Sequence, residues 1–193
     1  MTQAITLSDP PRFGLLAIAA AGVLTGMVTP LLPPLIDKLS SAPGDFRIAL
    51  AAVPFALLVA VLVRRSKPDR WWPAIAAAIV TMIAFVCAVN AAIWVDGQAT
   101  DGSKAIRNIL SGLAGGFTGA GVMAVGIHWL AAGLRDAKAW LPMLLTGTLA
   151  GALLALDNAL DLDLTSVLYP VWQGGVAAGL ATALRQRPGS TAV

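Results

Sequence analysis

The feature that most constrains this chain is a series of long apolar segments separated by short polar stretches. A bilayer core about 30 Å thick is crossed by roughly 20 apolar residues in a helix, and six segments come close to that length or exceed it. They are residues 13–36, 48–63, 71–95, 109–134, 140–156 and 164–184. The pattern predicts an all-α fold: a polytopic integral membrane helix bundle with six transmembrane helices, forming a single transmembrane domain over residues 1–193.

The composition agrees with a membrane location. Hydrophobic residues make up 58% of the chain and charged residues only 12%, whereas roughly a quarter of the residues of an average soluble domain are charged. The net charge of +3 comes from basic residues in separate short loops, so membrane topology explains it better than nucleic-acid binding. We therefore expect no nucleic-acid partner. The N-terminus has no basic region before its apolar run, so we expect the first span to stay uncleaved.

The distribution of charge predicts an orientation. Six spans place both termini on one side, which collects nine basic residues against three Asp, while the other side holds four basic residues against seven Asp. The positive-inside rule then makes both termini cytoplasmic, in a bacterial-type inner (plasma) membrane. The basic cluster "RRSKPDR" at residues 64–70 fits this orientation signal, and binding of anionic lipid headgroups is the alternative.

The hydropathy pattern also indicates an internal repeat. A shift of 93 residues lays the fourth, fifth and sixth spans over the first, second and third, and "GVLTG" at 22–26 falls on "GGFTG" at 115–119. Because each half has three spans, such a duplication is a 3+3 inverted repeat, a form in which transporters bind substrate near the midplane. The short second and fifth spans, which carry Pro54 and Pro142, favour the same interpretation. Local bilayer thinning around short helices is the alternative.

Prolines interrupt two of the apolar segments. Pro30, Pro33 and Pro34 predict that the outer end of the first span breaks into an extended or interfacial segment. In the sixth span, "YPVWQGG" places Pro170 within the segment, so we expect a helix break that presents polar side chains at the midplane.

Neutral polar residues are the candidates for substrate contact in the membrane. Tyr169 and Gln173 are four residues apart and should share a helix face. Asn90 and Gln173 carry the most information, because the helix backbone satisfies a threonine hydroxyl more easily than an amide. The midplane substrate-binding candidates are Gln173, Tyr169, Trp172, Asn90, Thr118 and Thr25.

Small residues mark the expected helix contacts, because lipid tails give helices no hydrophobic reason to associate. The packing candidates are Gly112, Gly116, Gly147, Gly151, Gly175 and Gly179. They predict a tight core made of spans one, four, five and six. Spans two and three, which are richer in large apolar residues, are expected to face lipid or another subunit.

His128 lies on the small-residue face of the fourth span, where it can act as a pH switch, a proton relay or a haem ligand. A hydrogen-bonded interfacial histidine is the alternative. It is the single histidine and Cys87 is the single cysteine, so we expect no metal site built from these residues and no cofactor. No nucleophile stands at a workable spacing from a base, so we expect no enzymatic activity.

The loop before the sixth span is acidic, with Asp157, Asp161 and Asp163 and no basic residue near them. The spacing of these carboxylates matches no calcium-loop signature. A solvated turn is the expected state, and a calcium site is the alternative.

Two functions remain open from the sequence. The first is a small channel or carrier for a neutral or weakly polar solute, which requires a polar-lined midplane cavity containing Gln173. The second is a non-catalytic membrane subunit or scaffold that packs as a homo-oligomer or within a larger membrane complex. The expected partners are membrane lipids and either a second copy of the chain or another membrane protein. A cofactor protein with His128 as an axial ligand is a third, weaker hypothesis.

Overall fold

The computed structural model describes residues 14–39, 43–99, 102–131, 137–162 and 164–185, and these residues form helices and loops without a β-strand. The helices are α1 Leu15–Val28, α2 Leu32–Leu39, α3 Gly44–Ala51, α4 Val53–Ser66, α5 Trp72–Gln98, α6 Lys104–Ala131, α7 Leu141–Gly151, α8 Leu154–Ala159 and α9 Leu168–Arg185. The predicted all-α class is confirmed. The predicted ends of spans one and four, at residues 13 and 134, lie outside the described residues, as do three of the nine basic residues of the terminal side.

Several helices are suited to crossing a membrane. Within the described ranges, four helical segments are long and apolar enough, namely Leu15–Leu39, Trp72–Gln98, Lys104–Leu130 and Lys138–Ala159. The pair α3 and α4, bent by 51°, makes a fifth when it is counted as one span. Large apolar side chains cover the outside of the bundle, such as Leu16, which is 85% exposed, and Trp129, which is 79% exposed. An apolar surface of this extent is typical of contact with lipid or with other protein.

The prolines after α1 do not produce the extended segment that we expected. Residues Thr29–Leu31 form one 3-10 turn, and the chain continues directly into α2. Pro30 lies at the start of that turn, and Pro33 and Pro34 lie in the first turn of α2. A first-turn residue has no intrahelical partner for its N–H, so proline costs no hydrogen bond there.

The second span is broken at Ala52, which separates α3 from α4. Pro54 stands in the first turn of α4, and a proline ring clashes with the carbonyl four residues before it, so a straight helix through this point is excluded. After the bend, α4 carries Phe55, Val59 and Val63 into the core, each 0% exposed.

The expectation that spans two and three face lipid or another subunit, outside the tight core, is therefore wrong for α4, although α5 exposes Ile79 and Ile83. The buried side chains of α4 repeat every fourth residue and form one apolar face, which packs against α5. In turn, α5 packs along α6, and its Ala77 and Ala84 are fully buried. Large side chains of α4 and small side chains of α5 therefore build this part of the core together.

Helix α9 is the central helix of the bundle. It packs against α1 on one side and α7 on another, and it buries Val176, Ala177 and Leu180 completely. Its 18 residues start at Leu168, so Pro170 lies in the first turn of the helix. The helix break predicted at Pro170 is wrong, because a proline in a first turn interrupts nothing.

Candidate functional site

A cavity of about 490 Å³ lies between α5, α6, α8 and the start of α9. Its wall is mostly apolar, with Phe85, Ala88 and Ala92 from α5 and Gly112 and Gly115 from α6. The volume is within the range of about 300–1,000 Å³ that is usual for small-molecule sites.

Aromatic rings from α9 form one side of the cavity. The ring of Tyr169 stacks on Phe85 with centroids 5.7 Å apart, and Trp172 meets Phe55 edge-on at 5.8 Å. A Cβ added at Gly119 would lie 3.1 Å from the Trp172 ring, so the glycine makes room for the indole. Tyr169 is half-buried, and within the described residues its hydroxyl makes no hydrogen bond.

Polar side chains gather at the end of the cavity beside the α5–α6 loop, which we call the mouth. They are Asp96, Lys104, Asn108 and Asn158. Both carboxylate oxygens of Asp96 accept hydrogen bonds from Arg107, at 2.8 Å from Nη2 and 3.2 Å from Nε. Across the described part of the chain, Lys104 has no ion pair and the side chains of Asn108 and Asn158 have no hydrogen bond.

The start of α9 is held by Asp157, which is 8% exposed. Its carboxylate accepts hydrogen bonds from the Ser166 hydroxyl at 2.5 Å, from the Val167 N–H at 2.9 Å and from the Leu168 N–H at 3.3 Å. The Ser166 hydroxyl oxygen accepts one from the Tyr169 N–H at 3.2 Å. Together they satisfy N–H groups that have no partner inside the helix and place a negative charge at its positive end.

The expectation of a solvated turn is therefore wrong for Asp157. The signal in the sequence was Ser166 three residues before Tyr169, the spacing of an N-terminal cap. Asp161 is exposed with a φ of 53°, while Asp163 lies outside the described residues. Among the residues that the structure describes, no three His, Cys, Asp or Glu side chains are grouped to hold a metal ion, so the calcium alternative gains no support.

Gln173 does not line the cavity, contrary to the sequence-based hypothesis. It is 0% exposed, and its Nε2 donates to Thr29 Oγ1 at 2.8 Å, while its Oε1 is buried without a partner in the described residues. A Cβ added at Gly22 would lie 2.6 Å from the Gln173 carbonyl oxygen, so the packing here is solid. Residues four apart on a helix are rotated by about 40°, which lets Tyr169 face α5 while Gln173 faces α1.

The remaining polar candidates also lie outside the cavity lining. Asn90 is exposed on α5, and its Nδ2 donates to Val86 O at 3.0 Å and to Asp45 Oδ1 at 3.3 Å. The expectation that the Asn90 amide is hard to satisfy locally is wrong, because it reaches the carbonyl one turn before it. Thr25 donates to Gly22 O at 2.8 Å, and Thr118 is half-buried on α6.

The packing glycines lie where α7 meets its two neighbours. A Cβ added at Gly112 would collide with Gly151 O, and one added at Gly116 would collide with Gly147 O, so α6 and α7 are in backbone contact. On the other side of α7, a Cβ at Gly175 would lie 3.3 Å from Thr146 Cβ, and one at Gly179 would lie 2.7 Å from Met143 Cα. Side chains at these positions would force the helices apart.

His128 lies towards the other end of α6 from the cavity mouth. Its ring meets Trp140 edge-on with centroids 6.0 Å apart. His128 Nδ1 and Trp140 Nε1 are both buried without a hydrogen-bond partner in the described residues. The described residues therefore contain no hydrogen-bond partner for His128 Nδ1. The roles of His128 as a pH switch, a proton relay or a haem ligand stay predictions.

Comparison of the chain with protein-family models, with curated proteins and with solved structures gives no match. The geometry of the site carries the functional argument alone.

Proposed function

We propose that this chain is a multi-pass inner-membrane protein that binds a neutral or weakly polar solute in the cavity and acts as a small channel or carrier for it. The observation that carries the proposal is the cavity of about 490 Å³ between α5, α6, α8 and α9. Its apolar wall suits the body of a ligand, and the few polar groups at its mouth suit recognition of one end of that ligand.

Six membrane spans are part of the proposal, with α9 as the sixth and the bent pair α3 and α4 as the second. Support for α9 comes from its 18 residues and its position between α1 and α7. A helix enclosed by other helices needs less apolar surface than a helix that faces lipid. With six spans, the excess of basic residues puts both termini in the cytoplasm and turns the cavity mouth to the outside.

Helix packing supports the 3+3 inverted repeat in part. In the repeat, α1 corresponds to α6, α4 to α7 and α5 to α9. The contact of α1 with α9 then corresponds to that of α6 with α5, and both contacts are extensive. The contact of α4 with α5 corresponds to that of α7 with α9, and these two contacts are similar in extent. The contact of α6 with α7 is tight, however, whereas that of α1 with α4 is slight. The second span of each half is interrupted, at Ala52 and after Gly151, as in transporters whose broken helices surround a midplane site.

Retention of a bound small molecule tests the proposed function. The protein is purified into lipid nanodiscs without added ligand and released for native mass spectrometry. Ala92→Leu fills the cavity from the α5 wall, and Ala20→Leu, on the exposed face of α1, is the matched control. We expect wild type and the control to carry a small molecule that Ala92→Leu loses, and flux of that molecule into proteoliposomes to fall in the same variant. Empty wild-type protein, or equal retention by Ala92→Leu, contradicts the proposal.

Cysteine labelling tests the orientation, because Cys87 is the single native cysteine. In a Cys87→Ser background, Ser103→Cys before α6 and Ser66→Cys at the end of α4 report on opposite sides. A membrane-impermeant maleimide added to intact cells should label the first and should label the second only after lysis. The reverse pattern would overturn the orientation.

A second candidate function, a non-catalytic subunit or scaffold, is favoured by α2. Apolar and polar side chains segregate on this helix, and none of its residues is buried. A second copy of the chain or a partner membrane protein would cover such a face. In the nanodisc experiment, a stable oligomer or a co-purified protein together with an empty cavity would favour this function over a carrier.

A further inference from the structure

The cavity combines a long apolar wall with polar groups at one end only. Phe85, Ala88 and Ala92 continue along α5 towards the mouth, where Asp96 follows one turn later. A ligand that fills this space contacts apolar side chains over most of its length and polar groups at its tip. This arrangement fits a single-chain amphiphile better than a compact polar solute, which would leave most of its polar atoms against an apolar wall.

The charge at the mouth sets the sign of the head group. Arg107 occupies both oxygens of Asp96, so this pair is close to neutral as seen by a ligand. The nearby Asp157 carboxylate is turned to the start of α9 and accepts three hydrogen bonds there. Lys104 is exposed, lines the cavity and has no ion pair within the described residues. Among the described residues of the mouth, the charge left for a ligand is therefore the positive charge of the Lys104 ammonium.

The hydrogen-bonding groups at the mouth agree with that sign. The ammonium of Lys104 has three N–H donors, and the amides of Asn108 and Asn158 have two N–H donors and one acceptor oxygen each. A carboxylate accepts only, through two oxygens with about four lone-pair sites, so it is complementary to the donors, which outnumber the amide oxygens. The Tyr169 hydroxyl, deeper in the cavity, is a further donor for an oxygen along the chain.

We propose that the cavity binds a single-chain carboxylate amphiphile, with its carboxylate at Lys104, Asn108 and Asn158 and its chain against Phe85, Tyr169 and Trp172. This inference rests on the proposed function for the binding cavity, and it narrows the ligand from a weakly polar solute to an amphiphile that is apolar along its chain and anionic only at its head. The cavity volume of about 490 Å³ lies in the range of about 300–1,000 Å³ that is usual for small-molecule sites, so probes with a chain of medium length are suitable.

Photolabelling with matched probes tests the head group. Dodecanoate, dodecanol and dodecyltrimethylammonium, each carrying a diazirine in the chain, are added at equal concentration to the protein in nanodiscs. After irradiation, peptide mapping compares labels on the cavity wall with labels at Ile79, an exposed residue of α5 outside the cavity lining. This ratio removes differences in membrane partitioning. We expect the carboxylate to label the cavity several-fold more than the other two probes.

Two lysine variants separate a specific contact from general attraction. Lys104→Gln removes the charge at the mouth, and Lys38→Gln removes one from the exposed end of α2 outside the cavity lining. Losing a charge-assisted hydrogen bond corresponds to about a tenfold loss of affinity. We expect that loss for the carboxylate probe in Lys104→Gln, no change for the alcohol probe, and no change for either probe in Lys38→Gln.

The outcomes distinguish this inference from the proposed function. Equal cavity labelling by all three probes, unchanged in Lys104→Gln, overturns the carboxylate head and leaves a solute-binding cavity in place. Cavity labelling no stronger than labelling at Ile79 for every probe overturns both.

Discussion

Helix α9 separates two regions that contain similar residues, but one region is closely packed and the other forms a cavity. The seam between α1 and α9 contains Gly22, Gly26 and a buried amide, and it is filled. The cavity on the α5 and α6 side also contains glycines and polar side chains, and it is open. In the seam, a Cβ added at Gly26 would lie 2.5 Å from Pro170 Cα, and Gln173 is bonded to Thr29.

The difference shows which residues distinguish a contact from a binding site. Glycines occur in both regions, since they mark close approach of helix backbones wherever it happens. Polar side chains differ, because Gln173 in the seam bonds to Thr29, whereas Lys104, Asn108 and Asn158 at the mouth make no hydrogen bond or ion pair with the described residues. An unpaired polar group beside an apolar wall is the better indicator of a ligand.

The largest effect is expected in the seam, from Gly26→Ala. The added methyl would lie 2.5 Å from Pro170 Cα and from the Tyr169 carbonyl oxygen. Both are backbone atoms, so α1 and α9 must separate. Overpacking of this kind costs about 3 kcal/mol at the upper end of its usual range. Thermal unfolding in a mild detergent should show a clearly lower Tm.

A glycine in open space is the control for Gly26. Gly97 lies in the last turn of α5 with nothing within 4 Å of an added Cβ. Gly97→Ala should leave Tm unchanged or raise it, since alanine favours helix by up to about 1 kcal/mol over glycine. Equal Tm values for the two variants would mean that the seam is not closely packed.

The next largest effect is expected from Asp157→Ala in α8, because Asp157 holds the start of α9. The substitution removes the hydrogen bonds that the carboxylate accepts from Ser166, Val167 and Leu168. Losing a helix cap costs about 1–2 kcal/mol. We expect Tm to fall and amide hydrogen exchange at Val167 and Leu168 to rise. Asp161→Asn is the control, because Asp161 is exposed and asparagine tolerates its positive φ. A fall of the same size in the control would contradict the capping role.

Much of the fold was predictable from the sequence. The long apolar segments correspond to the helices, because segment length and apolar character are local properties that lipid selects directly. The helix boundaries were less predictable. Pro33 and Pro170 suggested breaks within helices, but each lies in a first turn, and the start of α9 depends on the contact of Asp157 with Ser166 across the preceding loop.

The site was predictable only in part, for a geometric reason. Tyr169 and Trp172 line the cavity, but Gln173, one residue beyond Trp172, faces α1. Successive side chains on a helix point about 100° apart, so the positions of the other helices decide which of them each side chain contacts. That arrangement is a long-range property, and the sequence of one span does not contain it. Asn108 and Asn158 were missed because they lie near helix ends, where polar residues are ordinary.

A smaller effect on the free energy of unfolding is expected when the hydrogen bond between Gln173 and Thr29 in the seam is removed. Thr29→Val leaves Nε2 of Gln173 buried without its acceptor, and hydrogen bonds between membrane helices contribute about 0.6 kcal/mol on average and up to about 2 kcal/mol. We expect a loss near 1 kcal/mol. Gln173→Leu removes the whole amide, including the unpaired Oε1, so its effect on unfolding should be close to zero. The double variant should be more stable than Thr29→Val alone, and strict additivity would contradict the pairing.

The smallest effect on stability is expected from two ion pairs, which also compare the mouth with the protein surface outside it. Arg107 pairs with Asp96 at the mouth, and Arg47 pairs with Asp37 at 2.9 Å outside it. The side chains are between 34% and 50% exposed, and such pairs contribute about 0.2–1 kcal/mol. Both Arg107→Gln and Arg47→Gln should therefore lower Tm only slightly.

The two arginine variants should differ in photolabelling, because Arg107→Gln leaves the Asp96 carboxylate unneutralised beside the ligand head. Labelling of the cavity by the dodecanoate probe should fall in Arg107→Gln and stay at the wild-type level in Arg47→Gln. An equal fall in both variants would mean that the wider protein surface, and not the mouth, attracts the anion.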